Sequence, residues 1–511
     1  MKFKLFYLIL CIFFVIIIIF FGIKKEENMF MGLTKITDYE MDSLIDGKNK
    51  SNIEIELLYN NSLVSKMDND YLISVNNKHK KVKGKISAKK GLDIYIIDNE
   101  SKLDNIIENN EFAEILIVSN NKYDIKKIYF TNLSVMSIDR KSTNTLNDII
   151  LYDVLKFSDS GLTDINTFTG EIKQRGGMST AFPKKSYRLE IDENRSLLKM
   201  RKDDDWILNP IYSDATFLRE KIAYEIWNGI SNINNHDLEY IELIIDGEYQ
   251  GIYYLQEPVD HKTFNVDKKN NYLYSIKDLK KGRQVNKNSE IIYSNDVIIN
   301  EFSLEKVNND NLNIMIDNLI MLDEFNLKGI NNDIFNYNID NFLKYNIFIN
   351  LISAPDNCYK NQKIMLKSVD NKYELSKSPW DLDVSMRNPS ISVEWFGPED
   401  KIYYDEARYQ EDFNSDEMKN FESTIYFDFR NQIYNEKYIN YLITKYSDMI
   451  LKSGALIRDN IKWGRDNLNV NSGTVNKEFS KFDISAYEED LKYIKNNLLD
   501  RIKLLDKFYS L

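Results

Sequence analysis

Cysteine and histidine are scarce in this 511-residue chain: Cys11 and Cys358 are the only thiols, and His79, His236 and His261 the only imidazoles. Two cysteines cannot build a disulfide framework, and with three histidines they cannot assemble a Cys/His zinc site. No local pattern supports a Cys-His or Ser-His nucleophile. Any metal is therefore expected to be a hard cation held by oxygen. Positive charge is in deficit as well, with 67 Lys and Arg against 79 Asp and Glu for a net −12. No stretch gathers enough of it to track a phosphate backbone, which argues against nucleic acid as a partner. Repeats and low-complexity tracts are also missing.

The chain is long enough for two or more domains, and its 43% hydrophobic content suits a folded protein. The strongest local signal is an uncharged run from Leu5 to Ile23. As a helix rising about 1.5 Å per residue, it would nearly cross a bilayer core. No small-residue cleavage site ends it and Leu10 precedes Cys11, so an uncleaved anchor is favoured over a signal peptide or a lipoprotein signal. Lys2 and Lys4 before the run weakly keep the N-terminus inside. These features predict a membrane-anchored chain in residues 1–32, with its body on the outer side.

Residues 33–127 read as a small β-rich region of unknown role, from "IEIELLY", "YLISV", "LDIYIID" and "AEILIVS". From about residue 128 strands and helices mix. In "GEIKQRGGMSTAFPKKSYRLEI" a glycine-containing turn joins two strands, and Ser186, Arg188 and Glu190 face opposite to Lys185, Tyr187 and Leu189. "SDATFLREKIAYEIWNGI" predicts an amphipathic helix with Asp214 at its start. "YIELIIDGEYQGIYYLQE" predicts a hairpin turning at Asp246 and Gly247. A polar insertion follows, after which helices dominate.

The helix "IDNFLKYNIFINLI" stops at Pro355, directly before "DNCYKN". Two strand-like segments then lead to "PWDLD". An antiparallel hairpin returns its far end to its start, so Asp356 and Asn361 should meet Asp381. A carboxylate for an acceptor hydroxyl, with an amide and a second carboxylate for Mg²⁺, is the set phosphoryl transfer uses. The spacing alone is weak. The order of the pieces carries more: turn, strand lysine, helix with acids, hairpin ending at Glu257 and Pro258, then acid loop and final acid.

"RGGMSTAFPKKSYRLEI", "SDATFLREKIAYEI", "IELIIDGEYQGIYYLQE", "PDNCYKN" and "SPWDLD" occur in the order found in the CotH family, atypical kinases named for spore-coat protein H. The chain resembles that family over residues 128–511. The resemblance implies an α+β, two-lobed, kinase-like domain: a β-rich N-lobe (128–265), an insertion or connection (266–310) and a mainly helical C-lobe (311–511). It implies an ATP- and Mg²⁺-dependent (or Mn²⁺-dependent) kinase acting on a Ser/Thr-rich protein acceptor, such as a spore-coat protein. By position, Asp356 matches the catalytic aspartate, and Asn361, Asp381 and Asp383 match metal-binding positions. Lys185, with Lys184 second, resembles the phosphate-binding lysine, and Arg175 opens the turn. Glu225 is taken ahead of Glu220 as the helix acid, and the backbone near Glu257 as the adenine contact.

The chain departs from the family where the turn more often reads R-G-N-S-S, since Gly177 and Met178 follow Gly176 here. Met386 and Arg387 stand where an aromatic and a glycine often follow the W-D-x-D element. A non-catalytic kinase-like scaffold, and transfer to a glycan or of AMP, are the competing readings.

Overall fold

A computed structural model describes residues 29–510 apart from 31, 60–61, 76–84, 89–91, 98–111, 142–146, 158–162, 234–235, 267–270, 277–282, 286–290, 294–297, 301–334, 359, 371, 392–395, 404–415, 465–467, 470–473 and 476–483. The first layer is a mostly antiparallel sheet whose central strands, Phe112–Ser119 and Lys122–Thr131, pair as a hairpin. Alternation along these strands buries Ile115, Ile117, Ile128 and Phe130 on one face. This sheet packs Met67 and Leu72 against Val135, Tyr152, Ile244 and Tyr249 of the next unit. Asp68 N donates to Gly247 O at 2.6 Å across the same contact.

That next unit is a closed barrel. Its strands are β1 (Ser134–Asp139), β2 (Asn147–Phe157), β3 (Thr163–Arg175), β4 (Ser186–Ser196), β5 (Lys202–Asn209), β6 (Leu238–Ile245) and β7 (Glu248–Gln256). They run in the order β1-β2-β3-β4-β5-β7-β6, and parallel pairing of β6 with β1 closes the ring. Inward residues such as Met136, Leu151, Leu189, Trp206, Leu243 and Tyr253 fill it. Because strand side chains alternate, Ser186, Arg188 and Glu190 of β4 are left outside. The β6–β7 hairpin turns through Asp246 (φ +52°) and Gly247 (φ +74°), the two left-handed residues a type I′ turn requires.

Helix α1 (Arg219–Ile230) leaves β5 and is buried on nearly every side. Its Trp227 meets Tyr345 and Phe348 of α2 (Ile339–Leu351), with ring centroids 5.8 and 5.1 Å apart. Helices α3 (Asp416–Gln432), α4 (Glu436–Leu451), α5 (Ala455–Trp463) and α6 (Ile484–Tyr509) extend the same core through Tyr426, Tyr446, Ile494 and Leu498. A five-stranded sheet lies within this half: β8 (Tyr272–Ile276), β9 (Ile298–Asn300), β10 (Phe335–Tyr337), β11 (Gln362–Val369) and β12 (Lys372–Pro379), ordered β9-β8-β11-β12-β10.

Two expectations are corrected. The chain is β-rich, with a seven-stranded barrel and seven α-helices among the described residues, not an anchored two-lobed domain with a β-rich N-lobe and a mainly helical C-lobe. Closure depends on β1 meeting β6 about a hundred residues later, and local periodicity carries no trace of such a pairing. The single-pass anchor, and the membrane location built on it, is not supported. Among the described residues no helix is long and apolar enough to cross a membrane, and Leu5–Ile23 lies outside them.

Candidate active site

A cleft of about 1170 Å³ opens between the barrel and the β8–β11–β12 sheet. On the barrel side, β3 ends at Arg175 and turns through Gly176 and Gly177. Gly176 has φ +121°, and a Cβ there would lie 2.2 Å from Ser179 Oγ, so the turn tolerates no larger residue. Ser186, Arg188 and Glu190 of β4 line the next part of the wall.

The opposite side is built by the hairpin. Register Gln362↔Pro379 brings its two ends together, and Trp380 N donates to Asn361 O at 2.9 Å. Asn357, fully buried, donates through Nδ2 to Asn361 O (3.0 Å) and Trp380 O (2.9 Å). This clamp joins the acid loop to the W-D-x-D segment. Asn361 and Asp381 adopt φ of +55° and +56°, a conformation Asn and Asp accept more readily than other residues. Ile211 on the barrel side of the cleft has φ +52°, an outlier for a β-branched residue that points to a constrained, functional backbone.

Arg175, Asn361, Asp381 and Asp383 therefore line one cleft. Burial, and then the charge of Asp381, pushes Asp383 up to about 7, although Ser213 Oγ donates to its Oδ2 at 2.8 Å. Burial also raises Asp381, which stands open to the cleft but is enclosed by protein beyond its first neighbours. Arg175 and Lys360 pull it down, and Asp356 pushes it up. Asp356 is thus electrostatically close to both acids, yet it is buried, outside the cleft lining, and ion-paired to Lys360 at 2.7 Å.

The remaining assignments fall elsewhere. Lys184 is fully buried in an ion pair with Asp459 at 2.6 Å. Lys185 lies outside the cleft lining and donates to Thr180 O at 2.8 Å. Glu225 accepts a short hydrogen bond from Tyr446 of α4 and sits near Lys221 and Lys445, so it ties α1 to α4. Glu220 is the α1 acid that lines the cleft. Burial, followed by Asp381 and Asp383, holds it well above the usual carboxylate range, and Asn209 donates to it at 2.9 Å. Glu257 accepts from Arg201 N and Asp237 N at 2.7 and 3.0 Å, and its neighbours Gln256 and Pro258 line the cleft. Sequence reasoning missed Ser213. Ser213 directly precedes Asp214 at the head of the α1 motif, and that adjacency was the available signal.

Two neighbouring cleft carboxylates, Asp383 raised by the charge of Asp381, with an amide beside them, form an oxygen donor set suited to a hard divalent cation. Among the described residues no three carboxylate, imidazole or thiol groups already stand as a closed metal site. Asp381, Asp383 and Asn361 match the cation in chemistry, with coordination left to be completed from the cleft.

A barrel that presents a glycine turn and an arginine to a loop of paired acids and an amide defines a kinase-like protein. The chain belongs to the CotH kinase protein family, whose family model matches residues 172–505. A kinase family points to a protein substrate. No curated protein matches the chain.

Proposed function

We propose that the protein is an atypical kinase that transfers the γ-phosphate of ATP to a Ser or Thr hydroxyl of a protein acceptor. A Ser/Thr-rich protein such as a spore-coat component is the acceptor class. The observation that carries this reading is the meeting of the Arg175 turn with Asn361, Asp381 and Asp383 across one cleft.

In the reaction the acceptor oxygen bonds to the γ-phosphorus while the bond from that phosphorus to the β–γ bridging oxygen breaks. The hydroxyl proton passes to Asp356, and ADP leaves. Asp356 orients the hydroxyl after exchanging its pairing with Lys360 for the acceptor. Asp381, Asp383 and Asn361 would hold Mg²⁺ or Mn²⁺, which when bound offsets charge on the phosphates. Arg175 places a guanidinium beside Asp381, where phosphate oxygens would gather. The segment around Glu257 offers backbone at the cleft edge for the base.

The test incubates the purified chain with γ-labelled ATP, Mg²⁺ or Mn²⁺ and a Ser-rich acceptor, beside Asp356→Ala and Asp381→Ala. Label should reach the acceptor with wild type and drop by at least about a hundredfold with either variant. Equal transfer by all three proteins, including none, refutes the reading.

A further inference from the structure

We infer that Ser213 and Asn388 are positioning residues: together they latch the segment after Asp381 to the opposite side of the cleft and fix the Asp383 carboxylate for the cation. The inference rests on the cation reading of Asp383 above. Asp383 lines the cleft from the W-D-x-D segment, and Ser213 lines it from the loop between β5 and α1. Ser213 is buried, and its Oγ donates to Asp383 Oδ2 at 2.8 Å. The loop that carries Ser213 is itself held, because Asp214 accepts from Thr216 N at 3.0 Å and from Arg219 N at 2.8 Å. A hydroxyl donated from a fixed loop to one carboxylate oxygen sets the rotation of the whole group, which is how hydrogen-bond partners behind a metal ligand orient it.

Asn388 makes the second half of the latch. Its side chain is buried, and Nδ2 donates both to Ser213 O at 3.0 Å and to Asp383 O at 3.1 Å. Its Oδ1 accepts from Ser390 N at 3.1 Å, and its backbone N donates to Ser385 O at 3.0 Å. Both ends of the amide are therefore used, and its rotamer is fixed. One side chain closes the turn that follows Asp383 and ties that turn to the backbone of Ser213.

The turn needs holding. Met386 and Arg387 have φ of +48° and +49°, the left-handed region that residues with side chains disfavour and glycine enters freely. Met386 is anchored in its middle, buried and donating its N to Ile352 O at 2.6 Å just after α2. A turn made of two such residues relaxes unless its ends are held, and its ends are Asp383 and Asn388. Breaking the Asn388 bonds therefore releases the carboxylate as well as the turn.

The experiment measures Mn²⁺ binding to the full chain by electron paramagnetic resonance, alone and with ATP, for wild type, Ser213→Ala, Ser213→Thr, Asn388→Leu and Asp383→Asn. Circular dichroism melting sets a temperature at which each variant is folded. Ser213→Ala and Asn388→Leu should each weaken Mn²⁺ by about tenfold or more, the scale on which partners behind a metal ligand act. Ser213→Thr keeps the hydroxyl and should bind as wild type does, whereas Asp383→Asn should lose the site. Wild-type affinity in folded Ser213→Ala or in folded Asn388→Leu, with the loss confined to Asp383→Asn, overturns the latch alone. An equal loss in Ser213→Thr and Ser213→Ala assigns the effect to packing rather than to the hydroxyl and overturns it too. Should Asn388→Leu not fold, the Ser213 pair decides. No Mn²⁺ binding by wild type, or unchanged binding by Asp383→Asn, overturns the cation reading of Asp383, and this inference with it.

Discussion

Replacing Lys184 by Met separates a structural lysine from a phosphate-binding one. Lys184 and Asp459 are both fully buried, 2.6 Å apart, and come from the segment just before β4 and from α5. Asp459 Oδ2 also accepts from Ile252 N at 2.8 Å. Gly251 packs so closely that a Cβ on it would lie 2.1 Å from that oxygen. Met fills the lysine stem's volume but strands a carboxylate in a dry contact, at a cost of about 3–5 kcal/mol. Joint replacement, Lys184→Met with Asp459→Leu, removes both charges and should lie within about 1–2 kcal/mol of wild type. With a urea m-value of about 3 kcal/mol/M for a protein of this size, the single variant's midpoint should fall by about 1 M or more, and the double variant should recover most of that. Both should keep ATP affinity once folded. A single variant as stable as wild type refutes the pin, and a folded double variant that has lost ATP binding returns Lys184 to the phosphate site.

His236 predicts acid sensitivity. It is 1% exposed beside Tyr224 and Gln256, and burial, then Arg201, Lys363 and Lys221, lowers its pKa from 6.5 to about 3. Between those values the unfolded chain takes a proton that the folded chain refuses, so stability falls as pH drops below 6.5, by about 2 kcal/mol at pH 5. His236→Gln should flatten the decline in Tm between pH 7 and pH 5 relative to wild type, and parallel curves would show that the imidazole contributes nothing. Asn357→Ala should cost about 1–2 kcal/mol in urea denaturation by removing one donor from each of two part-buried carbonyls, and should also reduce phosphoryl transfer. Retention of full transfer would mean that the clamp does not hold Asn361 and Asp381 in place.

Much of the local structure was legible. The outward alternation of Ser186, Arg188 and Glu190 is the wall of the cleft. "IDGEYQ" turns where Asp-Gly chemistry requires, and the C-terminal stripe of Ile494, Leu498, Ile502 and Leu505 is buried in α6. The meeting of Asn361 with Asp381 followed from hairpin geometry. What was not legible depends on distant partners. Lys184 and Lys185 are neighbours with one composition, and only Asp459, 275 residues away, decides which is sequestered. Glu220 and Glu225 lie on different faces of a helix buried almost all round, so no hydrophobic stripe says which face meets the cleft. Barrel closure is hidden for the same reason.

The site's charge balance explains why this cleft suits an ion and its anionic partner better than it suits either alone. Asp381 has Arg175 and Lys360 to offset its charge, whereas Asp383 takes a hydrogen bond from the Ser213 hydroxyl and is pushed up by Asp381 and Asp356. Glu220, itself buried, adds a third acid against the same pair. Burial and mutual charge thus raise all three acids above their ordinary values. In the proposed reaction a divalent cation would offset that cost, with the Arg175 guanidinium close by over Trp380. The left-handed backbone at Asn361 and Asp381, of order 1–3 kcal/mol each where it is strained, is held by Asn357 and by the paired strands behind it. The acid end of the cleft is therefore set by the fold itself, and the proposed cation would remove an electrostatic cost already present in it.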